Sequence, residues 1–149
     1  GGSGCASTAW QCTIVESTND VGNYTSIAIA PTGYPWVTYY DETNDDLKVA
    51  QFNGSTWSLT TIESTNLVGK YSSMAFDSYG NPWVSYYDET NTGLRVAKYV
   101  SSGGSGCAST AWTCTALDTT NTVGLYSSIG FDSAGIFWFN DTEAAAIYA

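Results

Sequence analysis

Four acidic side chains, Asp41, Glu42, Asp45 and Asp46, fall within six residues and offer the hard oxygen ligands that Ca²⁺ takes. A second copy of the pattern keeps only Asp88 and Glu89, so the competing reading is a solvated acidic hairpin. Two aromatic sets, Trp36, Tyr39, Tyr40 with Asp41 and Trp83, Tyr86, Tyr87 with Asp88, supply flat faces and acceptors that can hold a sugar. Repetition would make such sites multivalent. Alternation along residues 35–41, however, turns these rings to both faces of one strand, which favours packing over binding. A third copy lacks the Tyr-Tyr-Asp, leaving at most two such sites in the chain.

Catalysis has little to work with. Histidine is absent, which removes the commonest general base, metal ligand and pH switch. Asp41 and Asp88, Glu42 and Glu89, and Asp77 and Asp132 recur at equivalent repeat positions, as turn residues do. A glycosidase needs a particular acid pair that breaks such symmetry. Ser or Cys nucleophiles have no imidazole base, and no Gly-rich loop joins a strand to a helix. The chain is expected to be no enzyme and to carry no cofactor.

The cysteines form two pairs with one spacing, Cys5 with Cys12 and Cys107 with Cys114, each within C-A-S-T-A-W-x-C. That spacing fits no C-x2-4-C zinc site, so a disulfide within each pair is expected, in an oxidising compartment. Sequons at Asn23, Asn53 and Asn140 make the same point. The reading is extracellular. With a net charge of −10 from 14 acids and four bases, neither nucleic acid nor an anionic membrane is an expected partner. No apolar run is long enough for a leader or a span. A start at Gly1, with Met74 the only methionine, reads as a mature product or an excised fragment.

These residues must be positioned by a repeat. Trp10, Trp57 and Trp112 are each followed 26 residues later by Trp36, Trp83 and Trp138. Between them stand V-G-N-Y-T-S-I-A-I, V-G-K-Y-S-S-M-A-F and V-G-L-Y-S-S-I-G-F, from Val21, Val68 and Val123. The opening tryptophans lie 47 and then 55 residues apart, the longer step holding a Gly-Ser-Cys insertion. Units of about 10–56, 57–102 and 103–149 make up one domain.

Each unit parses into four short strands. In the second they are Trp57 to Glu63, Tyr71 to Phe76, Pro82 to Tyr87 and Leu94 to Tyr99, joined by Gly, Asn and Asp turns. Ile27 and Ile29, Met74 and Phe76, and Ile129 and Phe131 share a face; small residues occupy the other. That suits sheets covered on both sides, as in stacked propeller blades. The fold class expected is all-β, with three four-stranded β-propeller blades in a ring closed or extended by further copies.

The stretch Ser73-x-Ala-Phe-Asp77-x-x-Gly80-Asn-Pro-Trp83-Val-Ser-Tyr-Tyr-Asp88, followed by Leu94-Arg-Val-Ala97, resembles repeats of secreted bacterial propeller proteins. The resemblance spans nearly the whole chain and implies architecture more than activity.

The repeat phase has a consequence. The strand after Trp10 is the last of a blade whose earlier strands are missing, and Ala146 to Ala149 align with the Leu-Lys-Val-Ala strand of a blade with no fourth. Three blades cannot close a ring, and open edges invite strand addition. Gly1 to Trp10 also repeats, residue for residue, as Gly103 to Trp112. The expected function is therefore a secreted structural protein whose copies join head to tail. Two copies would give six blades and three would give nine, while an open stack would give a fibre. A fragment of a larger propeller is the bland alternative, and a glycan-binding lectin-like propeller the functional one.

Overall fold

The computed structural model describes residues 3–135 and 137–140, with side chains through residue 135. All ten of its regular elements are strands. β1 (Val21–Ile29), β2 (Pro35–Asp41), β3 (Asp46–Phe52) and β4 (Trp57–Glu63) form one antiparallel sheet in that order. β5 (Val68–Phe76), β6 (Pro82–Asp88), β7 (Gly93–Tyr99) and β8 (Trp112–Asp118) form a second, again in chain order. β9 (Ser128–Phe131) and β10 (Phe137–Asn140) begin a third. The expected all-β chain of four-stranded antiparallel units is thus present in two full sheets.

Each sheet is a meander because each connection is short and carries turn chemistry. Between β5 and β6, Asp77 accepts the Tyr79 and Asn81 amides at 3.0 and 2.8 Å and the Trp83 indole N–H at 3.0 Å. Burial alone would raise the Asp77 carboxyl, yet these donors hold it below its usual value. The sheets are cut in a different phase from the sequence units. The tryptophan strand that opens a unit in sequence closes the preceding sheet in space. The strand expected from Tyr71 starts earlier, at Val68, since pairing resumes beyond a bulge between Val68 and Ser73.

One expectation needs correction. Residues 10–20 contain no strand, although Trp10 opens the same pattern that gives β4 and β8. β4 pairs with β3, and β8 with β7. Among the described residues nothing plays that part for residues 10–16, and an unpaired segment has no ladder to hold it. Of the third unit, 103–149, the described residues hold β8, β9 and β10, and the strand expected at Ala146 to Ala149 lies outside the described residues.

The core lies between sheets. Leu47, Val49 and Ile62 of the first sheet are buried with Val68, Met74, Val84, Tyr86, Ala97 and Trp112 of the second. Leu94 and Val96 then meet Val123 and Ile129 of the third. Each such aliphatic side chain contributes about 1.5–3 kcal/mol when fully buried. Both disulfides form, Cys5–Cys12 and Cys107–Cys114, with Cα separations of 5.2 and 5.1 Å.

Candidate functional site

The sheets meet through a set of contacts that the repeat dictates. At the first junction, Ser72 Oγ lies 3.0 Å from Thr38 Oγ1 and donates to the Tyr24 carbonyl at 2.8 Å. The Met74 amide donates to Ser26 Oγ, and the Val68 amide to the Asp45 carbonyl. At the second junction Ser127 Oγ lies 2.9 Å from Ser85 Oγ, Ile129 donates to Ser73 Oγ, and Val123 to the Thr92 carbonyl. Every participant is the repeat equivalent of its predecessor. Gly69 presses on Leu47 and Gly124 on Leu94, both with left-handed backbone at φ 107° and 96°.

The front of the first sheet carries the same residues, and among the described residues no other sheet packs on them. Gly22 has φ 102°, as its equivalents do, but no atom within 4 Å of where a Cβ would stand. Ile27 is 64% exposed, whereas its equivalents Met74 and Ile129 are 6% and 7% exposed. Ile29 is exposed as well. A groove of about 370 Å³, lined by Ile14, Val15, Val21, Gly22, Val37 and Tyr39, occupies the place that Leu47 and Val49 fill at the next junction.

A carboxylate clasps each of the two four-stranded sheets from its preceding side. Glu63, at the end of β4, accepts the Tyr86 hydroxyl and pairs with Arg95 at 3.0 Å. Burial pushes the Glu63 carboxyl up, against the pull of Tyr86 and Arg95. Glu16 repeats the clasp on the first sheet, accepting Tyr39 Oη and Lys48 Nζ, both at 2.5 Å. Burial, together with that bond, drives the Tyr39 phenol far above its usual range. Residues 14–16 thus sit on the first sheet as β4 sits on the second.

The sugar-binding candidates have other employment. Tyr40, Asp41, Tyr87 and Asp88 are buried, and Trp36 and Trp83 are half-buried at the sheet junctions. Trp36 meets Phe76, Tyr99 and Trp112 edge to face. Asp41 accepts amides of Thr43 and Asn44 and the side-chain amides of Asn44 and Asn19. Burial would raise Asp41, but those donors and Lys48 keep it low. Asp88 caps its hairpin through Asn91 in the same way. These are turn and packing roles.

The calcium candidate does not converge. Asp41 serves its turn, Glu42 accepts from Asn23, Asp45 accepts the Tyr40 hydroxyl, and Asp46 is raised by burial and by Asp41. Among the described residues, no three acidic, Cys or His side chains are placed to hold a metal ion. Of the sequons, Asn23 and Asn53 are exposed, while the side chain of Asn140 lies outside the described residues.

The sequence reading missed two features. The Glu16 and Glu63 clasps were visible only as the equal distance of each from its opening tryptophan. The other is a row of tyrosines in tilted ring contact: Tyr24 to Tyr71 is 4.5 Å and Tyr71 to Tyr126 is 4.2 Å between ring centroids. All three have positive φ, 52°, 56° and 55°, two residues after the recurring glycine.

No family model and no curated protein matches the chain. A solved lectin shares its fold. That protein, a fucose lectin from Kordia zhangzhouensis in complex with methyl-fucoside, superposes with a TM-score of 0.51 at 13% identity. The match covers 78% of this chain and 81% of that one. At such identity the likeness concerns the fold alone. Two disulfides suit an oxidising or extracellular setting. No described helix is long and apolar enough to cross a membrane.

Proposed function

We propose that the chain is a three-bladed segment of a β-propeller whose copies associate head to tail outside the cell, building a ring or a fibre. The observation that carries this reading is the face of β1. Gly22, Thr25, Ile27 and Ile29 repeat the residues that bind the preceding sheet at two other junctions, and here they are bare. A propeller ordinarily needs at least about four blades to close, so three must be completed. A head-to-tail contact repeats one interface and either closes or propagates. The role is structural and non-catalytic, and the sequon residues Asn23 and Asn53 are exposed in the single chain. Light scattering across a concentration series tests it. Association predicts a mass that rises to a multiple of 15.9 kDa. A single 15.9 kDa species at every concentration would overturn it.

Glycan binding is the second reading, supported by the likeness to a fucose lectin and by one cleft. Tyr24, Tyr71 and Tyr126 with Thr25, Ser72 and Ser127 line an open cavity of about 440 Å³ with aromatic edges and hydroxyls. Titration with methyl-fucoside tests it: saturable heat that Tyr126→Ala removes would favour a lectin, and no heat would reject this sugar.

A further inference from the structure

Residues 3–12 and 105–114 share the same internal hydrogen bonds but are not used alike. In the second, the loop closed by Cys107–Cys114 folds over itself, with Trp112 N–H bonded to the Ser109 carbonyl and Cys114 N–H to the Ser105 carbonyl. The first shows the same bonds, from Trp10 to Ser7 at 3.3 Å and from Cys12 to Ser3 at 2.8 Å. Ala9 and Ala111 each donate to a serine hydroxyl two residues back, both at 3.2 Å.

Among the described residues only the second loop is docked on another sheet. Its Ala108 and Ser109 amides donate to the Ile62 carbonyl of the first sheet at 3.0 and 3.2 Å. Arg95 reaches the Gly106 carbonyl, and Trp112 is fully buried against Trp36 and Tyr99. Trp10 of the first loop is 71% exposed. Ile62 is the residue passed over where the β3–β4 register shifts between Leu47 and Lys48. A bulge of this kind takes a residue off its own ladder and frees it for another partner.

The β7–β8 pair shifts register at the matching place, between Leu94 and Arg95, and the residue passed over is Leu117. We infer that the Cys5–Cys12 loop is a preformed plug that docks on the second sheet of another copy, with the Ala6 and Ser7 amides on the Leu117 carbonyl of the partner copy and Trp10 buried beside it. The inference rests on the head-to-tail reading, because that arrangement alone brings the start of one chain to the third sheet of the next. A loop that already holds its docked shape loses little entropy on binding, which strengthens the contact.

The test uses the full chain with a photo-crosslinking residue at the exposed Thr8, mixed with a ¹⁵N-labelled copy, alongside Trp10→Ala. The expected result is a crosslink between labelled and unlabelled chains that maps to residues 112–118, with association weakened tenfold or more by Trp10→Ala, as for a buried interface tryptophan. Association that survives Trp10→Ala with crosslinks elsewhere would overturn the plug and leave head-to-tail assembly standing. A wild-type chain that never associates would overturn both.

Discussion

Gly69 rests on the backbone of Leu47 so closely that a Cβ would stand 2.8 Å from the Leu47 Cα. Gly22, its equivalent, has the same left-handed backbone and open space. Alanine at either site bears the backbone strain, about 1–2 kcal/mol. Only Gly69→Ala also forces two sheets apart, which adds about 1–3 kcal/mol. Denaturant unfolding of dilute protein should show Gly69→Ala less stable than Gly22→Ala by that margin. Equal losses would mean that the junction yields.

The clasp at the first junction should behave as a buried pair. Arg95→Met leaves Glu63 without its cation and is expected to cost about 3–5 kcal/mol. Glu63→Gln keeps an acceptor for Tyr86 and should cost less. In a double-mutant cycle, Glu63→Gln should recover much of the Arg95→Met loss; simple additivity would show that the two do not interact.

Acid should act on the fold with two signs. Asp41 and Asp77 are held below their ordinary 3.8, so the folded chain binds fewer protons than the unfolded one. Their contribution is complete above that value and lost as the pH falls through the lowered one. Glu63 is held above its ordinary 4.5, so its contribution is present at acid pH and lost as the pH rises through the raised value. Asp77→Asn should flatten the acid-side decline of the melting temperature. Glu63→Gln should flatten the slope above 4.5. Unchanged profiles would remove the assignment.

The disulfides should differ in worth to a single chain. Cys107–Cys114 holds a loop docked on the first sheet, so replacing both cysteines with serine should cost about 2–3 kcal/mol. The same change at Cys5 and Cys12 frees a loop that, among the described residues, is docked on no other sheet, and should leave the melting temperature of dilute protein nearly unchanged. Similar losses for both pairs would contradict the undocked state of the first.

Much of this architecture was legible because the repeat spells it. The aromatic strands and their Gly, Asn and Asp turns fix β2, β6 and β7 to within a residue. Local pattern could not settle whether Trp10 opens a strand, since a strand exists only when a neighbour pairs with it. It also could not separate a binding tyrosine from a packed one: Tyr40 and Tyr87 look like sugar platforms in sequence, and burial at the sheet junctions decides their role. The clasps join Glu16 to Lys48 and Glu63 to Arg95, both 32 residues apart, beyond the reach of motif spacing.

The most direct measurement of the central claim is amide hydrogen exchange at Ile27. The equivalent amides, of Met74 and Ile129, are bonded to Ser26 and Ser73 of the preceding sheet. Head-to-tail association predicts that Ile27 exchanges slowly in concentrated protein and quickly on dilution, while Met74 stays protected throughout. Fast exchange at Ile27 at every concentration would mean that its face stays bare and that copies of the chain do not complete one another.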